Sequence, residues 1–384
     1  MGVMRVTLKK AACIFFCTAI CFSFLPGQAL GAGPGVSAQA AVLMDRSSGR
    51  ILYEKNGTEE LPIASITKVM TAVLAIESGK MNRMVTISPQ AVKTEGSSIY
   101  LKPREKIRLA DLVYGLMLRS GNDAAVAIAE AVGQSEAGFV FRMNEKARLL
   151  GMTHTHFTNS NGLDNPDHYS TAEDMAILTQ YAMSHSLFQK IVQTKVYKAA
   201  ATNKEGMRVW RNKNKMLTQY SFSTGGKTGF TKTAGRTLIS TASKNHLNLI
   251  AVTLNDGNDW LDHRNLFEWA FSEYQQTEVV RKGEIRANTD PFYRGHLYAS
   301  RSLFLPLSKD EQRSFTKKLI LIKPPLQTKN WVPPSPAGRV KILLGGREIG
   351  EIPLFYEQEK KKSGGFWTLF TDFLNAAVSG NELP

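Results

Sequence analysis

An α+β fold followed by a small all-β module is what this chain predicts. Short alternating apolar runs occur near residues 40–54 and again near 237–254, and helical periodicity dominates between them. Beyond about Gln276 that periodicity fades into short apolar runs separated by Pro and Gly. Strands, then many helices, then strands and a last helix imply one sheet built from both ends of the first 275 residues, with a helical cluster against it.

In order, Ala40 to Asp45 and Arg50 to Glu54 flank Ser47-Ser48-Gly49, a hairpin signal. After Pro62, Ser65 to Ser78 carries Ile66, Val69, Met70, Val73 and Leu74 at helical spacing, and Gly79 ends it. Helices are expected over Ala110 to Leu118, Asp123 to Val132 and Phe139 to Leu150, the first two separated by a break at Arg119 to Asn122. Ser170 with Glu173 reads as a capping box before Met175 to Met183. Lys227-Thr228-Gly229 begins a strand-like segment. Thr237 to Ala242 and Leu247 to Leu254 alternate as strands around a turn at Asn245-His246, and Trp260 to Tyr274 returns to helix. In the last module the expected strands are Leu319 to Ile322, Val340 to Leu344 and Glu351 to Phe355.

Both ends carry membrane signals. Arg5, Lys9 and Lys10 precede an apolar run from Ala11 to Leu25, and small residues follow Pro26. That run falls short of the roughly 20 residues a span needs, so residues 1–32 read as an export signal cleaved between Gly31 and Ala38. All three cysteines lie within it, which leaves the exported chain without disulfides, a thiol nucleophile or a Cys-based zinc site. Cleavage also removes three basic residues and no acid, taking the net charge from +15 to +12. Such a surface favours an anionic partner, and export together with the lack of any nucleic-acid motif argues against DNA or RNA.

At the other end, Lys360, Lys361 and Lys362 precede a segment in which Phe366, Trp367, Phe370, Phe373, Leu374 and Ala377 share one helical face. Too short to cross a bilayer, this amphipathic helix is expected to lie in the interface as an anchor rather than serve as a core or dimer helix. The expected organisation is therefore a signal at 1–32, a main domain at 38–275, a β domain at 276–356 and an anchoring segment at 360–384.

Three motifs carry the chemistry: Ser65-Ile66-Thr67-Lys68, Ser120-Gly121-Asn122 and Lys227-Thr228-Gly229. In this order they mark a serine nucleophile whose base is a lysine. A serine hydroxyl needs a base within hydrogen-bond reach, and Lys68 stands one helical turn beyond Ser65 on the same face. Lysine is a base only when its pKa falls, which burial and a second cation such as Lys227 both favour. Ser120 would relay a proton between Lys68 and a leaving amine, and Asn122 would hold a substrate amide. Lys227 and Thr228 suit a substrate carboxylate, while Gly229 lets a substrate backbone approach closely.

Each motif alone is weak. Ser314 to Lys317 repeats the first and Ser379 to Asn381 the second, but neither has a partner motif nearby. Lys227-Thr228 is no phosphate loop, because that pattern needs glycine where Ser221 stands. No Gly-x-Ser-x-Gly elbow supports a triad with His168, which reads as a loop or cap residue. His154 and His156 lack carboxylates at ligand spacing, so no metal site and no cofactor are expected.

Together with Asn161-Gly162-Leu163-Asp164 and His168-Tyr169-Ser170-Thr171-Ala172, the three motifs resemble the low-mass penicillin-binding D-alanyl-D-alanine carboxypeptidases. The phrasing Ser223 to Phe230 and Leu374 to Ala377 is most similar to the sporulation-type members of endospore formers. The resemblance implies a β-lactamase/transpeptidase-like fold. It also implies removal of the terminal D-alanine from peptidoglycan stem peptides through an acyl-enzyme on Ser65, and acylation by β-lactams. Lys68 would be the base and Ser120 the proton donor, with backbone N–H groups of Ser65 and Phe230 as oxyanion hole. Phe230, next after the third motif, alters the cleft wall without removing that donor. The rival readings are a class A-like β-lactamase, which has little use for a β domain and an anchor, and a non-catalytic wall-binding homologue, against which the complete motif set argues.

Overall fold

The computed structural model describes residues 33–286, 291–323, 325 and 331–357. The expected signal and C-terminal anchoring helix lie outside these residues, as does the second Ser-Gly-Asn. Labels below cover the strands and the helices of eight residues or more.

A five-stranded antiparallel sheet has the order β2-β1-β9-β8-β7. Its strands are β1 (Ala40–Asp45), β2 (Ile51–Lys55), β7 (Ser223–Thr231), β8 (Gly235–Lys244) and β9 (Leu247–Leu254). The first strand pairs with the last, Ala40 opposite Leu254 and Asp45 opposite Leu249, so both ends of the main domain build one sheet as expected. Asn245 and His246 take positive φ at the β8–β9 turn, the geometry a two-residue hairpin needs.

Helix α1 (Lys68–Glu77) is buried along nearly its whole length, from Lys68 to Ala75, as an apolar helix enclosed on all sides must be. Around it pack α2 (Leu109–Arg119), α3 (Asn122–Gly133), α4 (Glu136–Leu150), α5 (Ala172–Ala182) and α6 (Ser186–Gln193). Helix α7 (Asp259–Glu273) lies on β8 and β9. Strand β7 forms the edge facing the helical cluster, and its outer side offers backbone groups to whatever lies beside it.

Two local expectations need correction. The first turn of the Ser65 segment, Ala64–Thr67, is 3₁₀ rather than α. The cap of α5 is Thr171, whose Oγ1 accepts from the Asp174 N–H at 3.0 Å, and not Ser170. Ser170 is held extended by paired backbone hydrogen bonds with Leu61, so the helix begins one residue later. The short pairs β3 (Met84–Thr86) with β4 (Lys106–Arg108) and β5 (Val196–Ala199) with β6 (Arg208–Arg211) escaped the sequence reading, as did α6. Strands of three or four residues are too brief for alternation to declare itself.

The second module opens with β10 (Gln275–Val280) paired to β13 (Leu303–Leu307). Its main sheet runs β11-β12-β16-β15-β14, from β11 (Gly283–Glu284), β12 (Leu297–Ala299), β14 (Thr316–Leu321), β15 (Gly338–Leu344) and β16 (Arg347–Tyr356). Arg50 ties the hairpin of the main domain to this module through Glu311, Nη1 to Oε2 at 3.0 Å, with both side chains nearly enclosed.

Candidate active site

The Ser65 turn is a forced piece of backbone. Ala64 holds φ +48, unusual for a residue with a Cβ. Thr67 Oγ1 donates to the Ala64 carbonyl at 2.8 Å, closing the turn from within. Lys68, fully buried, then projects its Nζ to within 2.8 Å of Ser65 Oγ. The same nitrogen lies 2.7 Å from Asn122 Oδ1 and also contacts the Asn161 carbonyl. Burial first, and then the charges of Lys227 and Lys213, push Lys68 well below the ordinary lysine range. Lowering an amine pKa beside a hydroxyl is what general-base chemistry needs of a lysine.

Ser120 and Asn122 arrive from the α2–α3 junction. Ser120 ends α2 in the left-handed conformation, φ +65, which turns the chain back so that Asn122 can start α3. Its Oγ accepts from Lys227 Nζ at 3.0 Å. Asn122 is engaged at both ends of its amide, Oδ1 by Lys68 and Nδ2 by the Glu95 carbonyl at 2.7 Å. As placed, Asn122 steadies the Lys68 amine. Asp123 follows, buried, and accepts from Ser98 Oγ at 2.6 Å and from the Ile99 and Leu101 N–H groups at 3.1 Å, fastening the 98–101 loop.

From the opposite wall, β7 presents Lys227, Thr228 and Gly229. Gly229 is required by proximity: a Cβ there would stand 2.9 Å from the Ser65 nitrogen and 2.3 Å from Thr237 Oγ1. Thr237 in turn donates to the Ile63 carbonyl at 3.0 Å, bracing β8 against the Ser65 turn. Phe230 is 66% exposed, a cleft rim rather than a core residue. Lys227 is buried, and that burial, helped by Lys213, brings its pKa down to about 7.

Lys213 was missed by sequence reasoning. Its own pKa is lowered by burial and by Arg119, and its Nζ lies 3.2 Å from Ser97 Oγ beside the cleft. It belongs to no motif, so only the fold discloses it. Also unassigned was Gly162, at φ +80, where a Cβ would meet the Ala64 carbonyl oxygen at 2.0 Å. The Asn161-Gly162 pair thus serves the site twice, once with a carbonyl on Lys68 and once by leaving room for the Ser65 turn.

Hydrogen bonds and close approaches bring Ser65, Lys68, Asn122, Ser120, Lys227 and Gly229 together where the helical cluster meets the sheet edge, with Thr228 and Phe230 on the same strand, and the decoy at Ser314 lies elsewhere. Ser314 and Lys317 are exposed in the second module. His154 and His156 are exposed in a loop, and no cluster of three or more metal-binding side chains occurs among the described residues.

The family model described as D-alanyl-D-alanine carboxypeptidase matches residues 28–258. This chain belongs to that family. A second model, the penicillin-binding protein 5 C-terminal domain, matches residues 274–362. D-alanyl-D-alanine carboxypeptidase DacF of Bacillus subtilis is 32% identical over 363 residues, covering 87% of this chain and 90% of its own. The DacC enzyme of Escherichia coli is 31% identical, with 89% and 88% covered. Among solved structures, penicillin binding protein 5 from Haemophilus influenzae superposes with a TM-score of 0.73 at 29% identity, covering 85% of this chain and 98% of that one. The family is one of serine-type peptidases, and its fold, an antiparallel sheet with helices followed by an all-β domain, is the fold seen here.

Proposed function

We propose that the protein removes the terminal D-alanine from peptidoglycan stem pentapeptides through an acyl-enzyme on Ser65. The observation that carries this reading is the buried, base-shifted Lys68 amine 2.8 Å from the Ser65 hydroxyl. Lys68 Nζ takes the Ser65 proton as Oγ attacks the carbonyl between the last two D-alanines. Negative charge develops on the carbonyl oxygen, where the Ser65 and Phe230 N–H groups stabilise it, an effect worth about 3 kcal/mol for a single such donor in a well-built site.

The substrate carboxylate lies against Lys227 and Thr228, and its charge draws a proton onto the Lys227 amine, whose pKa of about 7 leaves it poised. As the C–N bond breaks, Ser120 gives its proton to the departing nitrogen and takes one from Lys227, on which it sits at 3.0 Å. Water then attacks the ester as its proton passes through Ser120 to the now neutral Lys227 amine, and Ser65 leaves with the proton held by Lys68, which returns both lysines to their starting charges and frees the shortened peptide acid. β-Lactams enter by the same attack, with the ring amide in place of the peptide. Pentapeptide muropeptide incubated with purified protein should lose one alanine by mass spectrometry. A cross-linked dimer would instead mean transfer to an amine, and fast catalytic nitrocefin hydrolysis would mean a β-lactamase.

The proposal extends to location and setting. The signal-like first 32 residues and the lysine-rich amphipathic tail support an exported enzyme held on the outer face of the cytoplasmic membrane by residues 360–384. Among the described residues no helix is long and apolar enough to cross a membrane. Deleting 360–384 should release active enzyme, and a truncated chain still sedimenting with membranes would place the anchor elsewhere. The Ser223 to Phe230 phrasing supports a role in spore cortex synthesis, which an unchanged cortex muropeptide profile in a deletion strain would overturn.

A further inference from the structure

The buried hydrogen-bond chain behind the nucleophile has a direction, and the direction is legible. His168 is 3% exposed and edge-on to Phe157. Its Nδ1 lies 3.1 Å from the Thr158 backbone N–H, which can only donate, so Nδ1 is the acceptor and the ring proton sits on Nε2. Burial keeps the ring in this neutral form by lowering its pKa to about 4. Nε2–H then faces Thr67 Oγ1 at 2.8 Å, and with that oxygen occupied as acceptor the Thr67 hydroxyl donates to the Ala64 carbonyl at 2.8 Å. Three groups in series end on one peptide unit, that joining Ala64 to Ser65.

In a trans peptide the carbonyl and the N–H point in opposite directions. Fixing the Ala64 carbonyl inward, against Thr67 and Gly162, therefore turns the Ser65 N–H outward. It faces the gap that Gly229 leaves open, where a Cβ would come within 2.9 Å of the Ser65 nitrogen. Ala64 holds a left-handed φ of +48 without being glycine, a conformation that persists only when its surroundings impose it.

We infer that His168, acting through the Thr67 hydroxyl, is a positioning residue that aims the Ser65 backbone N–H at the oxyanion formed during acylation. The inference rests on Ser65 being the nucleophile. It gives the His168 motif a task in the reaction rather than a loop or cap role, and explains why a threonine stands between the nucleophile and its base.

Full-length Thr67→Val, His168→Gln and Ser65→Ala variants would be compared by acylation rate with fluorescent penicillin and by kcat and KM on a D-Ala-D-Ala peptide. Misaiming one oxyanion donor should lower kcat in Thr67→Val by roughly 10- to 100-fold with KM little changed. The pH at which the rate rises should stay put, because Lys68 keeps its partners. His168→Gln, whose amide can still donate to Thr67, should sit between wild type and Thr67→Val, and the double variant should be no worse than Thr67→Val alone. Wild-type kcat in Thr67→Val, or a loss that vanishes once the rate is corrected for unfolded protein, would overturn the inference while Ser65→Ala remains dead. Undiminished labelling of Ser65→Ala would instead overturn the nucleophile itself.

Discussion

Two stretches of this chain spell Ser-x-x-Lys, and they have nothing else in common. At Ser65 the motif lies in a 3₁₀ turn leading into a buried helix, and Lys68 has no exposed surface. At Ser314 the serine ends a four-residue helix and donates to the Asp310 carbonyl at 3.0 Å. Its lysine, Lys317, stands on the exposed side of β14 with its Nζ 5.9 Å from the Phe315 ring. The spacing is identical, but only the first pair is desolvated and faced by further cations. Chemistry therefore resides in the environment that lowers a lysine pKa rather than in the four letters.

The largest effects should separate the two pairs outright. Ser65→Ala and Lys68→Ala should each lower acylation by at least about 10³-fold, as loss of either member of a nucleophile–base pair does, while the fold survives. Ser314→Ala and Lys317→Ala should remain within about twofold of wild type, a surface substitution's usual effect. Comparable losses at both sites, followed by penicillin labelling, would erase the distinction.

Next comes geometry at the wall. Gly229→Ala would drive a methyl against the Ser65 nitrogen and Thr237 Oγ1, and a misplacement on the ångström scale costs about 10²-fold in rate. Normal acylation by this variant would mean that β7 stands farther from the nucleophile in solution.

The pH dependence sharpens the comparison through the buried lysines. Acylation needs neutral Lys68, so the rate should climb with pH through its depressed pKa, and a rate flat from acid to alkaline pH would remove it as base. Stability carries the same sign. Lys227 is lowered from 10.5 to about 7 in the fold, so between these values the unfolded chain binds a proton that the folded chain does not. Stability contributed by this residue thus rises with pH across that window, and below it the full cost of burying the charge remains. The difference in unfolding temperature between wild type and Lys227→Met should narrow from pH 7 to pH 10, and a constant difference would contradict the shift.

The smallest effect on chemistry belongs to the joint between the two modules. Glu311→Ala leaves Arg50 nearly enclosed without its carboxylate, which should cost roughly 3 kcal/mol in thermal or denaturant unfolding. Acylation should hardly change, and a large loss of it would mean that the second module shapes the cleft.

Much of this was legible before any coordinates. Apolar periods located β1, β2, β8, β9, α1 and α7, because each buries a face long enough for its repeat to show. The three motifs that meet in space were legible because ordered motifs leave a linear trace. The sequence did not disclose that Lys68 donates to the Asn122 amide oxygen while the amide nitrogen donates to the Glu95 carbonyl, a partner that no motif names. It passed over Lys213 and quoted Thr67 and Gly162 within motifs without giving either a part, because those parts depend on what faces them in space.

Local order along the chain determined which elements form and which side chains can react, because periodicity, caps and turn residues act over a few positions. Only tertiary packing decided which lysine has its pKa lowered and which peptide unit the Thr67 hydroxyl holds. Both depend on segments more than 50 residues apart, Lys68 with Asn122 and Thr67 with His168, being pressed together where water is excluded.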